Sequence, residues 1–239
     1  MDKTIIIIGA SSGIGRELAE QYLRKGYKVG VLARRIDLLN EIVLLSPDKV
    51  TVGILDVSKT DRVVSDYEDF LQKFEKIDLI INSAGIGFVN HELVLDLELK
   101  TNSVNVDGFV AITISSIKHL IKQGYGHYAD ITSVAALIGR ADCPSYNSSK
   151  AYQANYLEAM RQYVYRKKLP IVITDIKPGF VDTKMSKGSK FVWMASTNKV
   201  VRQMIRALEN KRENVYITNR WRLIAWIIKL APRFVRKIV

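Results

Sequence analysis

The chain has 239 residues, is 48% hydrophobic and 25% charged, and carries a formal net charge of +12 with a single cysteine, Cys143. This composition suits one well-packed core, leaves little room for two domains and excludes wholesale disorder. One cysteine excludes a disulfide framework and suits a reducing, cytoplasmic compartment. The apolar start "MDKTIIII" is too short for a signal peptide and has no cleavage site. Half of the excess charge, six basic residues against no acidic one, lies in residues 220–239. Elsewhere the basic balance reads as a solvated surface, and no nucleic-acid recognition module accompanies it.

Short β-branched runs mark strands at residues 4–8, 28–33, 50–55, 79–82, 128–132, 171–176 and 215–218. Helix-length stretches separate them, with apolar residues three and four apart, as at Ile14, Leu18, Ala19, Tyr22 and Leu23. The alternation predicts one α/β domain, residues 1–219: a mainly parallel, doubly wound sheet with helices on both faces. No internal repeat, low-complexity segment or linker interrupts it.

After the first strand comes "GASSGIG", residues 9–15, and then a helix. Gly9 can make the tight turn, Gly13 admits a pyrophosphate close to the backbone, and Gly15 lets the helix pack on the sheet. Ser11 and Ser12 add hydroxyl donors, and the helix start presents N–H groups to phosphate. The second strand ends "ARR" at Ala33, Arg34 and Arg35. An NAD-specific site places a carboxylate near here for the ribose hydroxyls, and Ala33 cannot serve. Arg34 can grip a 2′-phosphate, with Arg35 and Arg16 as supporting candidates, so the reading favours NADP(H) over NAD(H).

Further along, Tyr146 and Lys150 stand four apart at the start of a helical stretch, and so share one face. An ammonium beside a phenol lowers its pKa toward neutrality, which fits the phenol to move a proton to or from a carbonyl oxygen. Ser133, at a strand end, can bond the same oxygen.

In order, "GASSGIG", "NSAG" at 82–85, "VNVDG" around Asn105, Ser133, Tyr146, Lys150 and "KPGFVDT" at 177–183 closely resemble the short-chain dehydrogenase/reductase family over residues 3–183. The resemblance implies a seven-stranded Rossmann-type sheet. It implies that Tyr146 is the general acid/base, that Lys150 tunes it and holds the nicotinamide ribose, that Ser133 orients the carbonyl, and that Asn105 holds a relay water. It also assigns the cofactor to Gly9, Ser11, Ser12, Gly13, Ile14 and Gly15. Asp56 and Val57 flank the adenine, Asn82, Ala84 and Gly85 line the adenosine side, and Pro178, Gly179, Val181 and Thr183 embrace the nicotinamide. Ser83 departs from the family's usual second asparagine.

Substrate choice is expected from the loops at 86–94, 134–145 and 184–198. In the last, Phe191, Val192, Trp193 and Met194 form either an apolar lid, implying an apolar substrate, or an ordinary packed loop. The tail, residues 220–239, forms a basic amphipathic helix with Trp221, Ile224, Ala225, Ile228, Ala231, Val235 and Ile238 along one stripe. It lies on an anionic membrane surface, or docks on its own or a partner subunit. His91, His119 and His127 have no metal-ligand spacing, and Cys143 reads as packing or pocket wall. Two functions stand open: an NADPH-dependent carbonyl reductase, oligomeric as a homodimer or homotetramer, and a non-catalytic NADP(H)-binding sensor or scaffold.

Overall fold

Every one of the four residues of the strand at Leu79–Asn82, and every one of the five at Thr4–Ile8, is buried in a computed structural model that describes residues 3–183 and 194–230. Runs of isoleucine and leucine buried on both sides are what a covered parallel sheet requires. The elements follow as β1 (Thr4–Ile8), α1 (Gly13–Arg24), β2 (Lys28–Ala33), α2 (Ile36–Val43), β3 (Val50–Ile54), α3 (Val63–Leu71) and β4 (Leu79–Asn82). Then come α4 (Leu95–Asn102), a π-helical turn (Ser103–Gly108), α5 (Phe109–Gln123), β5 (Gly126–Ile131) and a 3-10 turn (Val134–Leu137). The chain continues through α6 (Pro144–Arg166), β6 (Ile171–Pro178), α7 (Thr197–Glu209), β7 (Asn214–Ile217) and α8 (Asn219–Leu230).

The seven strands lie in the order β3-β2-β1-β4-β5-β6-β7. All of their pairings are parallel. Alternate residues of β1 divide between two cores. Ile5 and Ile7 meet Leu18, Leu39 and Met204 from α1, α2 and α7, while Ile6 and Ile8 meet Tyr67, Phe109 and Leu157 from α3, α5 and α6. The strand order reverses between β1 and β4, so the connections after them leave on opposite faces. That reversal opens a crevice at the C-terminal strand ends, where such sheets take their ligands.

The continuous run Leu95–Gln123 is long and apolar enough to cross a membrane. Here Val104, Phe109, Ile112, Ile117 and Leu120 of that run are buried in the core. Strand ends differ from the sequence expectation by up to two residues. β5 starts at Gly126, and β6 extends to Pro178 because Lys177 and Pro178 pair with Tyr216 and Ile217 of β7.

The start of the tail is docked on its own domain. Trp221 lies so close over Gly179 that an added Cβ there would fall 1.8 Å from the indole Nε1. Its ring also meets Phe180 edge-on at 5.6 Å between centroids. Ala225 is buried on the same side, while Leu223 and Ile227 point outward. The inward part of the expected apolar stripe is therefore already covered by protein. Phe191, Val192, Trp193 and the tail beyond residue 230 lie outside the described residues.

Candidate active site

The glycine turn forms from close contacts that only glycine permits. Gly9 has a φ of 82° and its missing Cβ would fall 2.7 Å from the Ala84 nitrogen, so the ends of β1 and β4 touch here. A Cβ on Gly15 would meet the Gly9 carbonyl oxygen at 2.4 Å, which seats the start of α1 on the turn. Ser12 precedes α1 but gives it no side-chain cap, and the first turn of that helix carries no acidic residue. A helix start with these features is a site for an anion.

The two arginines after β2 have different neighbours. Arg35 donates from Nη2 to both Ser11 Oγ and Ser12 Oγ, each at 2.9 Å, and so stands over the glycine turn. Arg34 acts electrostatically on Asp56. Burial raises the Asp56 carboxyl, but bonds from the Ser58 hydroxyl and N–H, with Arg34, hold it below its ordinary pKa. Arg16 is bound to Glu20 at 3.0 Å and Glu41 at 2.6 Å, which ties its guanidinium to α1 and α2. Val57 packs beneath Gly108, whose Cβ would fall 2.3 Å from the Val57 oxygen. Thr183 reaches back over the turn, its Cγ2 lying 3.6 Å from the Cβ position of Gly13.

Four groups converge across the crevice. Ser133 follows β5 and accepts a hydrogen bond from the Ala135 N–H at 3.0 Å, and its hydroxyl bonds to the Tyr146 phenol. Tyr146 lies in the first turn of α6 and packs its ring on Gly87, where a Cβ would fall 2.5 Å from Cδ2. One turn on, Lys150 Nζ donates to the Ile131 carbonyl at 2.9 Å and to Gln153 Oε1 at 2.8 Å. Gly85 touches both remaining partners: its Cβ position is 3.5 Å from Lys150 Nζ and 3.5 Å from Asn105 Oδ1.

Asn105 sits in the π-helical turn, a local widening that recurs at functional sites. Its side chain clamps Ile86 through both N–H and carbonyl and donates to Ser149 Oγ. Its carbonyl accepts from Gln153 Nε2 at 2.8 Å. Gln153 thus bridges the Asn105 backbone carbonyl and Lys150. Burial raises the Tyr146 pKa and the Ser133 bond opposes it. The Lys150 ammonium, one helical turn from the phenol, is held by Ile131 and Gln153.

Other supports were not foreseen. Glu98 Oε2 accepts from the Ser145 N–H at 2.9 Å at the start of α6, and its other oxygen takes Asn90 Nδ2. Those bonds hold the Glu98 carboxyl below its ordinary pKa. Asn147 Nδ2 donates to the Ala135 and Ile138 carbonyls, which pins the loop after Ser133 onto α6. The spacing of Asn147 and Glu98 around Tyr146 carries no signal recognisable in one sequence. Asn82, expected to line the crevice, turns its amide inward: Nδ2 donates to Asp130 at 2.6 Å and Oδ1 accepts from the Ala84 N–H.

His127 is buried against Thr174 and pushed down to about 4 by desolvation. No cluster suited to a metal ion occurs among the described residues. Burial, with Asp142, pushes the Cys143 thiol up to about 11. At pH 7 it should hold roughly a hundredfold less thiolate than a free cysteine. Reaction with a disulfide reagent is therefore expected to be correspondingly slow, and a rate equal to that of free cysteine would show an activated thiol.

The short chain dehydrogenase family model matches residues 3–214. An 11-beta-hydroxysteroid dehydrogenase-like 2 protein of Arabidopsis thaliana is 30% identical over 94% of this chain and 75% of its own length. Several other curated relatives are longer, and the chain spans little more than half of them. Among solved structures, a short-chain dehydrogenase from Burkholderia cenocepacia in complex with NADP superposes with a TM-score of 0.85 at 21% identity, covering 99% of this chain and 97% of that one. One from Burkholderia phymatum in complex with NAD gives 0.84 at 19%, covering 95% and 92%. With its glycine turn, its parallel sheet and its matched length, the chain belongs to the short-chain dehydrogenase family of oxidoreductases.

Proposed function

We propose that this protein is an NADPH-dependent reductase of ketones or aldehydes, reversible as an alcohol dehydrogenase. The convergence of Ser133, Tyr146, Lys150 and Asn105 around Gly85 and Gly87 carries the reading. The uncapped start of α1 and the contact-packed glycine turn fit a pyrophosphate. Gly9, Ser11, Ser12, Gly13, Ile14 and Gly15 would hold it, with Arg34 and Arg35 at a 2′-phosphate and Asp56 and Val57 at the adenine. Ala84, Gly85 and the backbone of Asn82 would follow, and Pro178, Gly179, Val181 and Thr183 would hold the nicotinamide. Bound NADPH supplies a hydride.

The residues of the chain supply position and a proton. A carbonyl oxygen placed between the Ser133 and Tyr146 hydroxyls accepts from both. Burial keeps Tyr146 protonated at neutral pH, the state needed to give its proton to that oxygen as it gains negative charge. Lys150, held by Ile131 and Gln153, places a cation one helical turn from the phenol and stabilises the phenolate that results. Run backward, the same phenolate takes the proton of an alcohol. A sensor without turnover has no chemical use for this set.

Tyr146→Phe is expected to lower kcat/KM on the order of a hundredfold or more while NADPH still binds. Equal turnover by the two proteins would refute the reductase reading; no turnover by the wild type over a broad carbonyl panel, with NADPH bound, would favour the sensor. Replacing Arg34 and Arg35 with alanine should raise the KM for NADPH by roughly tenfold or more, since bonds to charged groups are worth about 1.5–3 kcal/mol. The KM for NADH should stay nearly constant, and equal losses with both would remove the phosphate role.

We place the protein in the cytoplasm as a homodimer or homotetramer. Exposed Leu95 and Leu99 on α4 and Tyr152 on α6 support an apolar contact between copies. Among the described side chains of the tail, Arg220, Arg222, Leu223 and Ile227 on the outward side of α8 would serve a peripheral membrane contact, with Trp221 and Ala225 turned inward. Light scattering should give at least twice the 27.1 kDa chain mass. Co-sedimentation with anionic vesicles should fall on Leu223→Ser with Ile227→Ser; a monomer, or unchanged sedimentation, would count against each assembly in turn.

A further inference from the structure

The register of the sheet aligns a row of polar residues across its buried centre. Asn82 of β4 pairs with Asp130 of β5, Asp130 with Asp175 of β6, and Asp175 with Asn214 of β7. Cross-strand partners project to the same face of the sheet. Asp130 is 1% exposed and Asp175 0%, so two carboxyl groups stand side by side where water is excluded. Such a pair persists only with cations, hydrogen bonds or a bound proton to compensate.

Each compensating group can be named. Asp130 Oδ2 accepts from Asn82 Nδ2 at 2.6 Å and from the Tyr128 hydroxyl at 3.1 Å, and Tyr128 also meets Thr113 of α5. Asp175 Oδ1 accepts from the Thr132 hydroxyl at 2.5 Å, and its other oxygen is paired with Lys177. Lys177 also donates to Asn214 Oδ1 and borders an open groove lined by Glu158, Arg161 and Tyr216. From α6, the buried Lys150 reaches β5, its Nζ donating to the carbonyl of Ile131, the residue after Asp130, at 2.9 Å. Desolvation lowers the Lys150 pKa, and Asp130 and then Asp175 oppose that shift. Desolvation pushes Asp130 up to about 7, against the pull of Lys150 and the two hydrogen bonds.

We propose that Asp130, backed by Asp175 and Lys177, is the buried counter-carboxylate that keeps Lys150 cationic. The inference rests on the reading that Lys150 acts on Tyr146. Asp130 touches neither substrate nor cofactor and works only through Lys150. The proton it binds is given up as pH rises through neutrality, and the carboxylate then faces the ammonium. Because its folded pKa lies above its unfolded one, the stability this group contributes is full below the ordinary carboxylate pKa. That contribution is lost as pH rises through about 7.

The test compares wild type, Asp130→Asn and Asp175→Asn. In alcohol oxidation, the acid limb of the kcat profile reports ionisation of Tyr146. With Asp130→Asn it is expected to move to higher pH by on the order of one unit, because a Lys150 that gives up its proton more readily is less often cationic and favours the phenolate less. Asp175→Asn should move it less. An unchanged limb, or one moved to lower pH, would overturn the proposal, since a purely structural residue would lower kcat without moving the limb. The infrared carbonyl stretch of a protonated carboxylic acid gives a second readout without turnover. It should disappear in wild type as pH rises through neutrality and be missing in Asp130→Asn. If Asp130→Asn does not fold, the wild-type band and its shift to lower pH in Asp175→Asn decide the matter; absence of the band overturns the proposal. A protein that shows the band but no turnover would refute the reductase reading and leave the carboxylate assignment standing.

Discussion

A lysine ammonium buried to 4% exposure is the constraint on which the site is organised. Removing an unpaired charge from water costs several kcal/mol, so Lys150 needs fixed partners. It finds them in the Ile131 carbonyl on β5 and the Gln153 amide on its own helix. Those bonds set the height of α6 against the sheet. With that height set, Tyr146 falls one turn away, opposite Ser133 at the end of β5. Gln153 then carries the constraint to Asn105 and through it to Ile86, so three segments far apart in sequence share one geometry.

The crevice has a second constraint at its other end. Gly9 approaches Ala84 so closely that no side chain could stand between β1 and β4. This contact lies where the strand order reverses, so the glycine turn after β1 and the end of β4 are joined directly. Thr183 closes over Gly13 from the far edge, and Trp221 of α8 seats on Gly179. The segment from Pro178 to Thr183 is therefore held at both ends by side chains.

Much of this was legible in the residues themselves. Isoleucine runs, glycine spacing and the four-residue step from Tyr146 to Lys150 are local patterns, and local patterns survive reading in one dimension. What was missed depends on register. That Asn82, Asp130, Asp175 and Asn214 form one row follows from strand pairing, which no single strand records. Arg35 rather than Arg34 bonds the serines of the turn because the chain bends after β2, and the salt bridges of Arg16 need α2 beside α1. Trp221 reads as part of an apolar stripe, but the glycine that receives it lies forty-two residues earlier.

In the proposed function, the crevice between the glycine turn and Tyr146 holds NADPH with its reactive end at the tyrosine. A crystal structure of the protein with NADPH tests it most directly. Pyrophosphate is expected against the start of α1, the 2′-phosphate at Arg34 and Arg35, and the nicotinamide between Tyr146 and the Pro178–Gly179 corner. Cofactor density elsewhere on the surface, or a nicotinamide turned away from Tyr146, would contradict it.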